Sequence, residues 1–259
     1  MASPRAYSGP LSDRASRKRR SRTARRWKIA ALLAGTAILV TILLAAFSSP
    51  SPSFLTGLCD DPALLETGRP QPQPIAAQGD LTIELPVSCQ SVTALGYHGA
   101  NAFALPLEPV GRQVNQGLLS RIVHRLVGDD QSGVTYYQLT GGEGSRTGAL
   151  DVGAPAGTAV YAPVTGTVVS IRDLVLGGKR YGHRIDIVPS EAPSVVVSLT
   201  RLRADPALTV GSPVTKDTSK IGVVLDLSRV EKQALTGVTH DPGNHVTLEV
   251  QPTATLAYR

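Results

Sequence analysis

The sequence predicts an all-β domain, a sandwich or barrel, preceded by one membrane-spanning helix and a small mixed region. Two observations carry this. From about residue 134 the chain breaks into short runs rich in Val, Ile, Leu, Thr and Tyr, with Gly, Pro and Asp between them roughly every ten residues. Far upstream, residues 29–47 (IAALLAGTAILVTILLAAF) run nineteen positions without a charge directly behind a block of basic residues.

The basic block comes first. The formal net charge is +6, yet ten Lys and Arg precede Ile29 against Asp13 alone, which leaves 16 basic and 19 acidic residues for the rest. The positive charge is therefore a tail, residues 1–28, and not a folded surface, which removes the nucleic-acid reading. Beside an apolar run, such a tail marks the cytoplasmic side and is drawn to anionic lipid. At about 1.5 Å per residue, nineteen helical residues roughly match a bilayer core of about 30 Å. Trp27 stands at the boundary, where an amphipathic ring is favoured. The expected topology is a single-pass protein of the cell membrane, N-terminus cytoplasmic and main domain extracytoplasmic. The alternatives are a cleaved secretory signal, with Ala46 and Ser48 as a poor small-residue site, or a twin-arginine signal at Arg25 and Arg26.

Only two cysteines occur, Cys59 and Cys89, both on the expected exported side, and a disulfide between them is expected there. Two buried free thiols are the alternative. Neither lies in a metal-binding spacing.

Residues 48–79 read as a Pro-rich spacer, with SSPSPS at 48–53 and RPQPQP at 69–74. Residues 80–133 read as a small mixed α/β region. DLTIELPV at 80–87 alternates like a strand, and 114–127 places Leu118, Leu119, Ile122, Val123 and Leu126 on one helical face. His98 and His124 read as surface or satisfied structural residues. Within 134–259 the expected strands are YYQLT, AVYAPV, GTVVSI, RIDIVP, VVVSLTRL, KIGVVLDL and HVTLEVQP, with SRVEKQAL at 228–235 as a short helical turn inside a loop.

Several of these runs, taken in order, resemble one family. Residues 149–171 (ALDVGAPAGTAVYAPVTGTVVSI) resemble the opening of the lysostaphin-type or LytM-like zinc metallopeptidase core, H-x-G-x-D-x-x-x-P-x-G-T-P-V-x-A-x-x-x-G-x-V. YGHRIDIVP (181–189), VVSLTRL (196–202), LTVGSPVTKDTSKIGVV (208–224) and NHVTLEV (244–250) resemble its later blocks, so the resemblance covers roughly residues 145–252. It implies a lysostaphin-like antiparallel β core. APVTGTVV also resembles the turn of biotinyl carrier domains, but no Lys stands at its tip.

The resemblance further implies a zinc held by two His and one Asp, lowering the pKa of a bound water, with two more His assisting the attack on a peptide carbonyl. In this chain the Asp is retained as Asp151, and the first His of the terminal H-x-H, a catalytic position, as His245. The two zinc histidines are replaced by Thr147 and Thr247, and the catalytic His of the Y-x-H-L strand by Arg201. Threonine is not a usual zinc ligand and a guanidinium repels a divalent metal. The expected outcome is an Asp151–Arg201 ion pair in place of the metal, no cofactor, and a pseudoenzyme. The alternative is zinc in a rearranged site of Asp151 and His245 with His183 or His240. As partners, the resemblance implies peptidoglycan or an envelope protein, a cell-wall hydrolase or a division component. An active peptidoglycan endopeptidase with substituted ligands and a membrane-tethered structural scaffold are the other two functional readings.

Overall fold

Strand formation follows the period-2 pattern closely. In Ala149–Gly153 the sequence alternates Ala, Leu, Asp, Val, Gly, and in His245–Pro252 it alternates His, Val, Thr, Leu, Glu, Val, so each strand has one apolar face and one small or polar face. A computed structural model describes Thr36, residues 70–115 and residues 133–258. From residue 70 onward these belong to one unit, Ser53–Arg259; in the other, Met1–Pro52, only Thr36 is described, exposed and helical.

The strands are β1 (Pro74–Gln78), β2 (Leu81–Glu84), β3 (Ala94–His98), β4 (Glu108–Pro109), β5 (Arg112–Gln113), β6 (Thr135–Gln138), β7 (Ala149–Gly153), β8 (Ala159–Tyr161), β9 (Gly166–Leu176), β10 (Lys179–Pro189), β11 (Val195–Ala204), β12 (Pro213–Val214), β13 (Lys220–Val224) and β14 (His245–Pro252). β1 lies between β2 and β4 in a 3-stranded sheet. An 11-stranded sheet runs β12-β9-β10-β11-β14-β7-β3-β6-β5, with β13 and β8 branching from β11. Pairing is antiparallel except where β6 meets β3 and β5. β9 and β10 form a hairpin through Gly177-Gly178, both at positive φ, as a two-residue turn matched to strand twist requires.

One core lies between the two sheets. Leu95 and Tyr97 of β3, Leu150 and Val152 of β7, Val246, Leu248 and Val250 of β14, and Ile185 and Ile187 of β10 pack there with Ile75, Leu81 and Ile83 of the small sheet. Burying each such side chain stabilises the fold by about 1.5–3 kcal/mol. The Tyr97 hydroxyl donates to the Ile75 carbonyl at 2.5 Å, joining the two layers.

The all-β expectation agrees with the described residues, and the expected strands of 134–259 are present. β7 comes from the opening block of the resemblance, and β12 is an addition. The segment 228–235 is a turn followed by a 3₁₀ turn at Ala234–Gly237. The stretch read as a spacer contains β1. The region read as separate and mixed supplies β3 to the main sheet, because the alternation ALGYH presents Leu95 and Tyr97 to the common core. The expected helical face at 118–126 lies outside the described residues, as do Cys59 and the apolar run 29–47 apart from Thr36. Among the described residues no helix is long and apolar enough to cross a membrane, and no cysteine is free; Cys89 is buried at the start of a 3₁₀ turn.

Candidate functional site

The second face of the main sheet is polar. Register pairs Asp151 of β7 with Thr247 of β14 on one side and Gly96 of β3 on the other; one step along, Ala149 lies between Glu249 and His98. Side chains two apart share a face. Asp151, His245, Thr247, Glu249 and His98 therefore project away from the core together with Ser198 of β11 and Asp186 of β10.

Asp151 is 1% exposed and sits at the centre of a tight cluster. The Thr247 hydroxyl donates to Asp151 Oδ1 at 2.6 Å. Its other oxygen, Oδ2, faces His98 Nε2 at 3.2 Å and His245 Nε2 at 3.5 Å, as ion-pair contacts rather than aligned hydrogen bonds. Both rings are fixed from behind. His98 Nδ1 lies 2.6 Å from the Gly99 carbonyl and His245 Nδ1 lies 2.8 Å from the Gly243 carbonyl. A carbonyl only accepts, so each Nδ1 carries a proton and each Nε2 is turned to the carboxylate.

The two histidines titrate in opposite directions. Burial draws the His98 pKa down, but the Asp151 carboxylate beside it outweighs this and raises it above the ordinary value. For the more deeply buried His245, burial and the Arg201 charge win over Asp151 and lower it. Burial pushes Asp151 up, yet the two imidazoles and the Thr247 hydrogen bond hold it below the usual carboxylate range. The cluster thus favours a carboxylate, an imidazolium at His98 and a neutral ring at His245.

Of the residues singled out in the sequence, Asp151, His245 and Thr247 come together. Thr147 does not join them: its hydroxyl lies 3.4 Å from Ser145 Oγ, and its carbonyl accepts from the Leu107 amide. The expected Asp151–Arg201 ion pair is not formed. Arg201 has φ +66° at the point where β11 leaves β14 and pairs with β13, and its guanidinium binds Glu231 and Gln233 instead. A bulge in the β10–β11 pairing accompanies this turn and takes Arg201 out of the regular strand geometry that the expectation from the resemblance assumes. His183 does not reach Asp151 either; its Nδ1 accepts from the Ala204 amide at 3.1 Å, and His240 is exposed.

His98, read from the sequence as a surface or satisfied structural residue, is part-buried with a partner on each ring nitrogen, one of which, Asp151, has no sign in the sequence. The alternation of Ala94–His98 does put it on the face of Ala94 and Gly96, but nothing local says that this face lies beside Asp151.

Zinc bound in the way the resemblance implies does not fit this donor set. Two of its three ligand positions are threonines, one of them turned to Ser145 and the other spending its proton on Asp151. The oxygen left over on Asp151 is paired with the His98 imidazole, with the His245 ring beside it. Among the described residues no group of three or more His, Cys, Asp and Glu side chains is arranged to hold a metal ion. What the cluster can do chemically is hold and exchange a proton between Asp151 and the Nε2 atoms.

No protein-family model matches the chain, and no curated protein matches it. Solved structures do. Lysostaphin matches at 17% identity over 40% of this chain and 36% of its own, with a TM-score of 0.30, so the matched part spans about a third of that protein. The metalloprotease pseudoalterin from the deep sea matches at 13% identity over 67% of this chain and 72% of its own, with a TM-score of 0.36. A putative glycyl-glycine endopeptidase LytM from Ruminococcus gnavus matches at 17% identity over 62% of this chain and 52% of its own, with a TM-score of 0.25. The family that residues 145–252 resemble, the lysostaphin-type or LytM-like metallopeptidases, is also the family represented among these solved structures.

Proposed function

We propose that this chain is a membrane-anchored envelope protein whose LytM-like domain binds rather than cuts. Its ligand would be peptidoglycan or its peptides, or a cell-wall hydrolase or division partner. One observation carries the reading: Asp151, the single retained ligand position of the zinc set, accepts from Thr247, is paired with His98 and is packed against His245. A water not activated by a metal keeps a pKa near about 15.7 and is a poor nucleophile toward a peptide. A groove's walls, by contrast, come from strands and loops and outlast the loss of catalysis. The basic tail and the apolar run at 29–47 support the anchor and the outward topology, and the position of Cys59 and Cys89 beyond that run supports their pairing.

Metal analysis of the purified exported domain and of its Asp151→Ala variant tests the first half. The expected result is no stoichiometric zinc in either; zinc present in the parent and lost from the variant would overturn the inactive reading. Co-sedimentation with insoluble peptidoglycan tests the second half, with enrichment in the pellet expected. A reporter fused to the C-terminus should be active only outside the cytosol.

A further inference from the structure

We propose that the segment joining β13 to β14, residues 225–244, is a built-in plug over Asp151, and that Arg201 is the latch that holds it shut. Leu235 lies on this segment, is fully buried, and is not part of the core between the sheets. It rests on the polar face. A Cβ added to Gly96 would lie 2.8 Å from Leu235 Cδ2, and one added to Gly153 would lie 2.9 Å from Leu235 Cδ1. Gly96 pairs directly with Asp151, and Gly153 follows it by two residues on the same face. These two missing side chains make the seat that Leu235 fills, with Leu139 beside it over Gly96 at 2.5 Å from that Cβ position. An apolar side chain thereby closes the approach to a carboxylate and two imidazoles.

The latch is visible in the same segment. The Arg201 guanidinium binds the Glu231 carboxylate and donates to Gln233 Oε1 at 3.3 Å. Gln233, itself buried, donates from Nε2 to the Leu227 and Glu231 carbonyls at 3.1 and 2.9 Å. One side chain of β11 thus fixes the residues just ahead of Leu235. Arg201 also holds a left-handed backbone, a conformation that costs a non-glycine residue free energy and persists where surrounding contacts impose it. The far end of the segment is tied to the site as well, since Gly243 provides the carbonyl that orients His245. Lifting the segment would expose Asp151 and free the His245 ring in one movement. Any ligand that reads Asp151 must displace Leu235, so binding at this site is autoinhibited; that consequence rests on the binding reading above, whereas the plug itself does not.

Two variants release the plug by different routes. Arg201→Gly removes the latch at a position whose φ suits glycine. Gly96→Ala fills the seat, and the atoms nearest its added Cβ belong to the side chains of Leu139 and Leu235. The readout is ethoxyformylation of histidines by diethyl pyrocarbonate, followed peptide by peptide, with exposed His240 as the internal reference. In the unaltered protein His245 should react far more slowly than His240. In either variant, still folded by circular dichroism, it should react roughly tenfold faster than before. His245 reacting as fast as His240 in the unaltered protein, or staying equally slow in both folded variants, would overturn the plug. Peptidoglycan pelleting of the same variants should rise. If His245 opens and pelleting stays flat, the binding reading fails and the plug stands.

Discussion

Two buried carboxylates on the same face of one sheet, Asp186 and Asp151, are neutralised in different ways. Asp186 is wholly buried. Its Oδ1 accepts from Ser198 Oγ at 2.7 Å and Arg184 Nε at 2.8 Å, and its Oδ2 accepts from Arg172 Nη2 at 2.7 Å. Asp151 has a threonine and two imidazoles. Burial pushes both carboxyls up and their partners hold both below the ordinary range. The difference lies in the permanence of the partner charge. Arginine stays charged at any pH a protein survives, while histidine loses its charge near neutrality. Asp186 is a fixed structural joint between β9, β10 and β11, whereas Asp151 is a joint whose strength changes with protons.

The same substitution at both sites breaks the comparison open. Asp186→Asn leaves Arg172 and Arg184 facing a neutral amide, and removing one partner of a buried pair costs about 3–5 kcal/mol. Its urea midpoint should drop sharply, and by a similar amount at every pH above the carboxylate range. Asp151→Asn should cost less, about 1–2 kcal/mol, because His98 can shed its proton and the Thr247 hydroxyl keeps an acceptor. Equal losses at the two sites across the pH range would abolish the distinction.

Why one joint could be foreseen in part and its partners could not is a matter of locality. Leu150 and Val152 against Ala149, Asp151 and Gly153 is a pattern written within five residues, and the ordered blocks carry Asp151, His245 and Thr247 to matching positions. His98 belongs to β3, and its place depends on the β3–β7 register, which pairs Tyr97 with Leu150 across half a hundred residues. No local signal encodes that. Arg201 failed for a different reason. An undisturbed strand would keep it in the alternation, but the bulge and the left-handed turn send its guanidinium to Glu231. The expectation that Arg201 takes the space of the residue it replaces in the resemblance does not hold.

The pH dependence sharpens the comparison further. His98 has a folded value above its ordinary 6.5, so its pairing with Asp151 stabilises fully below 6.5 and is lost as pH rises through the higher folded value. Asp151 has a folded value below its ordinary 3.8, so its contribution is present above 3.8 and is lost as pH falls through the lower one. His245, lowered from 6.5, opposes folding below that value, because the unfolded chain takes up a proton there before the folded one does. Asp186 shares the acid-side loss and has no alkaline one. His98→Gln should therefore remove the stability loss that sets in as pH rises above 6.5 and leave the Asp186 part of the acid limb in place. Unfolding midpoints that still fall across that alkaline window in the variant would locate the effect elsewhere.

A third carboxylate shows what happens without a dedicated cation. Asp217 lies near buried Glu84, whose Oε1 is 3.4 Å from Lys216 Nζ, and its own Oδ1 is buried without a hydrogen-bond partner. Burial first, then the Glu84 charge, pushes its pKa up to about 6. The sign is opposite to that of Asp151 and Asp186. Between 3.8 and about 6 the folded protein holds a proton that the unfolded chain has released, so stability falls as pH rises through that window and stays reduced above it. Asp217→Asn removes the charge and keeps a side chain that tolerates the position's φ of +60°. Because Asp217 is only half-buried, solvent screens the effect, and the gain should be at most about 1 kcal/mol. The thermal midpoint should rise near neutral pH and stay unchanged at about pH 4, where both forms are uncharged in the fold. A gain of the same size at both pH values would mean that the lost negative charge is not its source, and that Asp217, like Asp151 and Asp186, is not strained by its ionised state.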